Sequence, residues 1–119
     1  MAERNPNPLK VLEGSKMSAV VFVQDYVQLQ FDGPGLTVLT QSKVTFLERC
    51  FEWGKSGYRD ALCDQIGKLV RLAVSIPEQE IKIEFETGAL LSISLKSEDY
   101  RGAEAAVFDN PPNPTVVWQ

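Results

Sequence analysis

The chain contains two copies of one strand-and-turn pattern, and this duplication constrains the fold more than any other feature of the sequence. The copies span residues 11–40 and 67–96, with Gly14 and Gly67 at matching places. Each copy alternates apolar and polar residues, breaks at a turn rich in glycine, proline or acidic residues, and alternates again. This pattern is typical of short antiparallel strands. We therefore expect two three-stranded antiparallel meanders.

Alternation with a period of two assigns a face to the central strand of each copy. The apolar members are expected in the core, and they are Val27, Leu29, Phe31, Ile81, Ile83 and Phe85. The polar members are expected to face water, and they are Gln28, Gln30, Lys82 and Glu84. Glycines in the following turns, at 32–35 and 86–88, can adopt the positive φ that tight hairpins need.

The insert between the copies, residues 41–66, is predicted to be helical. Thr45 and Glu48 have the spacing of a capping box, which predicts a short helix over 45–53. Apolar residues recur at helical spacing over 58–66, and a glycine follows that can cap the end of a helix. A second helix is therefore expected there.

At 119 residues the chain is long enough for one domain and too short for two of ordinary size. We expect a single domain over 11–108, a flexible leader at 1–10 and a Pro-rich C-terminal tail at 109–119. Residues 104–108 are expected to add an edge strand. The predicted fold class is α+β and mainly β. The two meanders form a sandwich or a partly open barrel, with one or two short helices inserted between them.

Composition excludes several classes of function. With 12 Lys and Arg against 16 Asp and Glu, the formal net charge of −4 disfavours nucleic-acid binding. The chain has no histidine, so it lacks the commonest general base and neutral metal ligand. No apolar stretch approaches the roughly 20 residues that span a bilayer, and no secretory signal is recognisable. We expect a cytoplasmic protein without nucleic-acid or membrane partners.

The two cysteines do not form a recognisable metal site. Cys50 and Cys63 lie in no Cys-x-x-Cys pattern, and we expect them to be buried free thiols. Gly54, Lys55 and Ser56 resemble the end of a phosphate-binding loop, but the upstream glycine that such a loop needs is absent. We expect no cofactor, no metal and no catalytic residue.

Candidate binding residues come from acidic and aromatic side chains at predicted exposed positions. Three acidic residues follow the outward face of one strand, two more flank a tyrosine in a polar turn, and another tyrosine lies opposite the core set of its strand. They are Glu80, Glu84, Glu86, Asp99, Glu104, Tyr100 and Tyr26. Tyrosine is enriched where proteins meet, and acidic groups favour a basic partner.

Three segments, at 17–33, 61–68 and 91–100, resemble a group of small bacterial proteins of unknown function. The likeness covers about residues 12–108. More loosely, the chain is similar to two-repeat β proteins among the immunity proteins of bacterial toxin systems, whose role is to bind and block a toxin. The resemblance implies a fold and a protein-binding role. It supplies no catalytic residue.

The leading hypothesis is a non-enzymatic binding module that acts by protein–protein contact, with a partner that could be basic. A homodimer through an exposed sheet edge is a further expectation. The alternative is a small-ligand binding or weakly catalytic domain in which Asp99, Tyr100 and Glu104 share a pocket between the meanders.

Overall fold

A computed structural model describes residues 7–119 and contains ten strands and one α-helix. In chain order the elements are β1 (Met17–Val23), β2 (Tyr26–Phe31), β3 (Gly35–Val38), β4 (Ser42–Phe46), β5 (Arg49–Glu52), α1 (Tyr58–Cys63), β6 (Val70–Ile76), β7 (Glu80–Phe85), β8 (Leu90–Ser94), β9 (Ala106–Asp109) and β10 (Val116–Trp118). All strand pairings are antiparallel. The predicted α+β, mainly β class is confirmed.

The strands form two five-stranded sheets, neither of which closes into a barrel. Sheet A has the order β1-β2-β3-β9-β10, and sheet B has the order β5-β4-β8-β7-β6. Each sheet therefore joins one meander to the hairpin that follows the other meander in the chain. The two sheets exchange their hairpins, which places chain crossings at both β3–β4 and β8–β9.

The two expected meanders are β1-β2-β3 and β6-β7-β8. All six predicted core residues of β2 and β7 are at most 4% exposed. The register shifts near the start of both first hairpins, between Met17 and Ala19 and between Val70 and Leu72. The sheets meet at these starts, where Lys16 forms an isolated antiparallel bridge with Leu69.

The insert differs from the prediction in its first half. Helix α1 confirms the second expected helix, but it ends at Cys63 rather than at residue 66, and Asp64 rather than Gly67 is its C-cap. The helix predicted over 45–53 is wrong, because this segment contains the β4–β5 hairpin. Val44 is buried and Lys43 exposed, so the strand alternation prevails over the local capping pattern of Thr45.

The chain before β1 does not behave as a loose leader from residue 7 onward. Pro8–Leu12 form a 3-10 helix whose Leu9 is fully buried. The Asn7 side chain donates to the Ala73 carbonyl at 2.8 Å, and the Glu13 carboxylate accepts from the Ala73 N–H at 3.1 Å. This segment covers the outer edge of β6. The first six residues of the expected leader lie outside the described part of the chain.

The expected C-terminal tail also contributes to the fold. The strand expected over 104–108 is present as β9, but it is not an edge strand, because it pairs with β3 on one side and with β10 on the other. The chain turns back after β9, and β10 becomes the edge of sheet A. The Trp118 indole Nε1 donates to the Ser75 hydroxyl of sheet B at 3.0 Å. The tail therefore helps to hold the two sheets together.

Arg101 ties three segments together at the β3–β4 crossing. Its guanidinium donates to the carbonyl oxygens of Leu39 at 3.2 Å, Asp25 at 3.1 Å and Thr40 at 3.3 Å. It also lies 5.4 Å from the centre of the Trp53 ring. These contacts fix the loops on that side of the molecule.

Candidate functional site

The predicted acidic face is the outer face of sheet B, and it carries charges of both signs. Glu84 Oε2 lies 3.5 Å from Arg71 Nη2, and Glu80 Oε2 lies 3.8 Å from Lys82 Nζ. All four side chains are at least partly exposed. The face is therefore a pattern of opposite charges rather than one block of negative charge.

Glu86 lies beyond the end of β7 and has a structural role. Its carboxylate accepts the Leu69 N–H at 2.9 Å, and its own N–H donates to the Leu69 carbonyl at 2.8 Å. Glu86 thus holds the segment that leads into β6. It is spatially separate from the pair formed by Glu80 and Lys82, at the other end of the strand.

The three residues expected to share a pocket have different surroundings. Asp99 accepts a hydrogen bond from the Ser94 hydroxyl at 2.6 Å and lines a groove on sheet B. Glu104 lines a depression of about 440 Å³ beside Arg101. Tyr100 is half-buried and packs against the core. Asp99 and Glu104 therefore contribute to different cavities.

The groove on sheet B has a volume of about 480 Å³ and brings Asp99 and Glu80 together. Its floor is formed by Ser92 and Ser94 of the central strand β8, where side chains are short. The remaining lining comes from neighbouring strands and loops: Gln41, Ser42, Lys43, Glu52, Gln79 and Lys96. The groove is polar and mixed in charge, unlike the largely apolar pockets that bury drug-sized ligands.

A second cavity, of about 470 Å³, lies over the loop that leads into α1. Its wall includes Trp53 and Tyr58, whose rings meet edge to face at 5.6 Å. The Tyr58 hydroxyl lies 2.7 Å from the buried Ser42 hydroxyl, and burial raises the pKa of Tyr58 to about 12. At neutral pH the phenol is protonated and serves packing and hydrogen bonding.

The cysteines are free, as expected, but the expectation that they are buried is wrong. Cys50 lies on β5 at the edge of sheet B, and Cys63 lies at the end of α1; both are exposed. Partial burial, together with the negative charges of Asp60 and Asp64, raises the pKa of the Cys63 thiol. These neighbours oppose the thiolate that nucleophilic catalysis requires.

Residues 7–119 contain neither a metal-binding cluster nor a membrane-crossing helix. No three His, Cys, Asp or Glu side chains in this range cluster closely enough to hold a metal ion. In the same range, no helix has both the length and the apolar character needed to cross a bilayer.

The tip of the β4–β5 hairpin is the most unusual feature of the surface. Phe46 pairs with Arg49, so Leu47 and Glu48 form a two-residue turn with φ values of 52° and 65°. A two-residue turn with two positive φ values normally contains Asn and Gly. Leu47 is 76% exposed, more than any other large apolar residue described. The chain thus presents a leucine to solvent on a backbone that disfavours it.

The hairpin carries further groups that suit a protein contact. Phe46 and Phe51 are half-buried at the border of the core, and the Arg49 guanidinium lies 5.4 Å from the centre of the Phe51 ring. Apolar, aromatic and arginine side chains around one exposed apolar residue are typical of interface centres.

Sequence reasoning did not identify Leu47 as a candidate. The turn contains neither Asn nor Gly, and Thr45 and Glu48 have the spacing of a capping box, which predicts the start of a helix. The available signal was the alternation of Val44 and Phe46 before the turn, which fits a strand. Tyr26, a predicted candidate, is half-buried on the outer face of sheet A, opposite its core neighbours as expected.

Comparisons with protein-family models, curated proteins and solved structures gave no match to this chain.

Proposed function

We propose that this chain is a non-enzymatic, cytoplasmic protein-binding module whose contact surface includes the tip of the β4–β5 hairpin. The observation that carries the proposal is Leu47, a 76% exposed leucine with a φ of 52°. The cytoplasmic location is proposed from the sequence alone.

The fold itself gains little from a leucine at this position. A left-handed backbone costs an L-residue about 1–2 kcal/mol, and two such residues follow each other here. A leucine that stays exposed gains little of the roughly 1.5–3 kcal/mol that its full burial would return. Backbone strain kept without a folding benefit is characteristic of functional positions. Burial in a partner would supply the missing benefit.

The surroundings of Leu47 indicate the chemistry of the partner. Glu48 and Arg49 follow it in the chain with one charge of each sign. A suitable partner offers an apolar pocket of leucine size with a polar rim that can pair with both charges. An immunity-type protein, which blocks a toxin by contact, is one instance of this proposal, since blocking requires a surface and no catalytic residue.

The test compares the host-cell proteins that the wild-type protein captures with those that the Leu47→Asp variant captures. Val11→Asp is the matched control, because Val11 is also well exposed, at 49%, but lies outside the hairpin. We expect a host protein that binds the wild type and Val11→Asp, and whose affinity, measured with purified components, falls at least tenfold with Leu47→Asp. If every captured protein binds Leu47→Asp as well as the wild type, the proposal is wrong.

A second candidate function is the binding of a small anion in the groove on sheet B. Each acidic group of the groove has a partner: Glu52 has Lys55 at 3.5 Å, Glu80 has Lys82 at 3.8 Å, and Asp99 has the Ser94 hydroxyl. By contrast, Lys43 and Lys96 have no carboxylate within 4 Å among residues 7–119.

Because Lys43 and Lys96 both line the groove, a dianion such as succinate is a suitable probe for an anion site there. NMR titration with succinate would detect it through saturable shifts of the groove amides, and these shifts should be lost in the Lys43→Gln, Lys96→Gln variant. If the amide shifts of the wild type do not saturate with succinate and are equally large across the whole protein, a specific site is excluded.

A further inference from the structure

The outer face of sheet A is nearly free of charge. Its side chains are the members of each strand that alternate with core residues, and the strand registers place them side by side: Ala19, Val21, Val23, Tyr26, Gln28, Gln30, Gly35, Thr37, Val107, Asp109 and Val117. Only Asp109 is ionisable at neutral pH, and its carboxylate accepts a hydrogen bond from the Thr115 hydroxyl at 2.7 Å.

The outer face of sheet B provides the comparison within the same molecule. Its outward positions carry five charged side chains, Lys43, Glu52, Glu80, Lys82 and Glu84, and Arg71 reaches the same face to pair with Glu84. A surface strand normally keeps such groups because they favour solvation and discourage association. Sheet A has one such group, Asp109, across its five strands.

The pattern across sheet A is suited to self-association. One row of cross-strand neighbours runs Val21, Gln28, Thr37, Val107 and Val117. Valines occupy both ends of the row and the small Thr37 occupies its centre, on the middle strand β3. Consider a two-fold axis that lies midway between two such faces and runs along this row, over Thr37. Rotation about this axis places each residue of the row opposite the same residue of the second copy. Valine then meets valine, and the Gln28 amide can donate or accept.

Charge favours a second copy as the occupant. The chain has a net charge of −4, so two copies repel each other wherever they meet through charged surfaces. The outer face of sheet A is a broad surface on which this repulsion is smallest. The β6 edge is a poorer choice, because Asn7 and Glu13 already occupy the backbone groups of Ala73.

We propose that two copies of this chain associate face to face through the outer faces of their sheets A, with Thr37 beside the two-fold axis. Eleven outward residues, at about 4.8 Å between strands and about 6.8 Å between successive outward residues of a strand, give a flat footprint of roughly 360 Å² per copy. This area is at the low end for specific interfaces, so the dimer is weak and reversible, with dissociation in the micromolar range or above. The inference is independent of the proposed function, since the β4–β5 tip belongs to sheet B.

The test uses sedimentation velocity from about 10 μM to 1 mM protein. We expect the wild-type sedimentation coefficient to rise with concentration. Thr37→Arg and Thr37→Glu should each reduce association at least tenfold, because the same charge faces itself across the axis. An equimolar mixture of the two should associate again. Thr45→Arg is the control, since Thr45 is a half-buried threonine on the outer face of sheet B, and it should behave as the wild type.

A wild type that remains monomeric at 1 mM would overturn the proposal. So would a Thr37→Arg and Thr37→Glu mixture that associates no better than either variant alone. If the Thr37 variants do not fold, Val117→Lys and Val117→Glu on the exposed edge strand replace them. Val117 is 39% exposed and thus tolerates a charge. Each of these should weaken association at least threefold, and equal association with the wild type counts against the interface.

Discussion

Two glycines in the loop before α1 show how single residues fix the path of this chain. Gly54 and Gly57 have φ values of 83° and 92°, which L-residues rarely adopt. Their surroundings differ. A Cβ on Gly54 would meet nothing within 4 Å, whereas a Cβ on Gly57 would lie 2.6 Å from Cδ1 of the Phe51 ring. The close approach of the loop to sheet B therefore depends on Gly57.

Gly54→Ala and Gly57→Ala form a matched pair that separates backbone strain from steric contact. Gly54→Ala should lower the free energy of unfolding by about 1 kcal/mol, from the left-handed backbone alone. Gly57→Ala should lower it by about 3 kcal/mol, because the Phe51 ring must also move. Urea denaturation of both variants checks the difference. Equal losses would show that the loop does not press on Phe51.

Residue-level prediction from the sequence worked where one physical rule dominates. The buried faces of β2 and β7 follow directly from side-chain alternation, so Leu29 and Ile83 could be assigned to the core. Leu47 could not be assigned, because its exposure depends on a turn whose residues are not typical of turns. The cysteines were misplaced for a related reason, since residue type alone does not show that Cys50 occupies an outward position at a sheet edge.

At the scale of elements, the 3-10 helix before β1 protects an edge strand. Glu13 and Asn7 bond the N–H and carbonyl of Ala73, which would otherwise be free to pair with another strand. Acceptance of the Ala73 N–H, with a smaller effect of Lys10, lowers the pKa of Glu13. Protonation of Glu13 therefore weakens the cover of the edge.

This predicts a measurable dependence of stability on pH. Because the pKa of Glu13 is lower in the folded chain than its ordinary value of 4.5, its contribution is present above about pH 4.5 and disappears as pH falls through the folded pKa. Glu13→Gln removes this titration. Between pH 6 and pH 3, the free energy of unfolding should therefore fall less steeply in Glu13→Gln than in the wild type. Identical slopes would show that the carboxylate does not bond Ala73.

Prediction of elements succeeded where local signals and tertiary pairing agree. Helix α1 and both meanders were predicted because their apolar periods are clear. The β4–β5 hairpin was missed because the local signal of Thr45 and Glu48 favours a helix, while pairing of β4 with β8 favours a strand. Tertiary pairing prevailed, as it often does over propensity.

At the scale of the whole molecule, the exchange of hairpins makes the two sheets interdependent. Hairpin β4–β5 follows the meander of sheet A but pairs in sheet B, and hairpin β9–β10 follows the meander of sheet B but pairs in sheet A. Sequence patterns reveal each strand but not its distant partner. The sequence therefore left a sandwich and a partly open barrel as alternatives, and it described the last strand as a tail.

Trp118 provides the test of this interdependence. Trp118→Phe removes the hydrogen bond to Ser75 and should cost about 1 kcal/mol, whereas Trp118→Ala also removes apolar contact and should cost about 3 kcal/mol. The neighbouring Val117→Ala, on the exposed side of β10, should cost less than about 0.5 kcal/mol. Thermal and urea denaturation should show one cooperative transition in every case. Two separated transitions would mean that the sheets unfold independently.

The proposal that Leu47 is kept for contact depends on real strain in the β4–β5 turn, and one measurement tests this without any partner. Replacing Leu47 and Glu48 together by Asn and Gly gives the residues that a turn with two positive φ values prefers. The free energy of unfolding, from urea denaturation, should then rise by about 1 kcal/mol. An unchanged or lower value would show that the native turn is not strained, and the argument for a functional tip would fail.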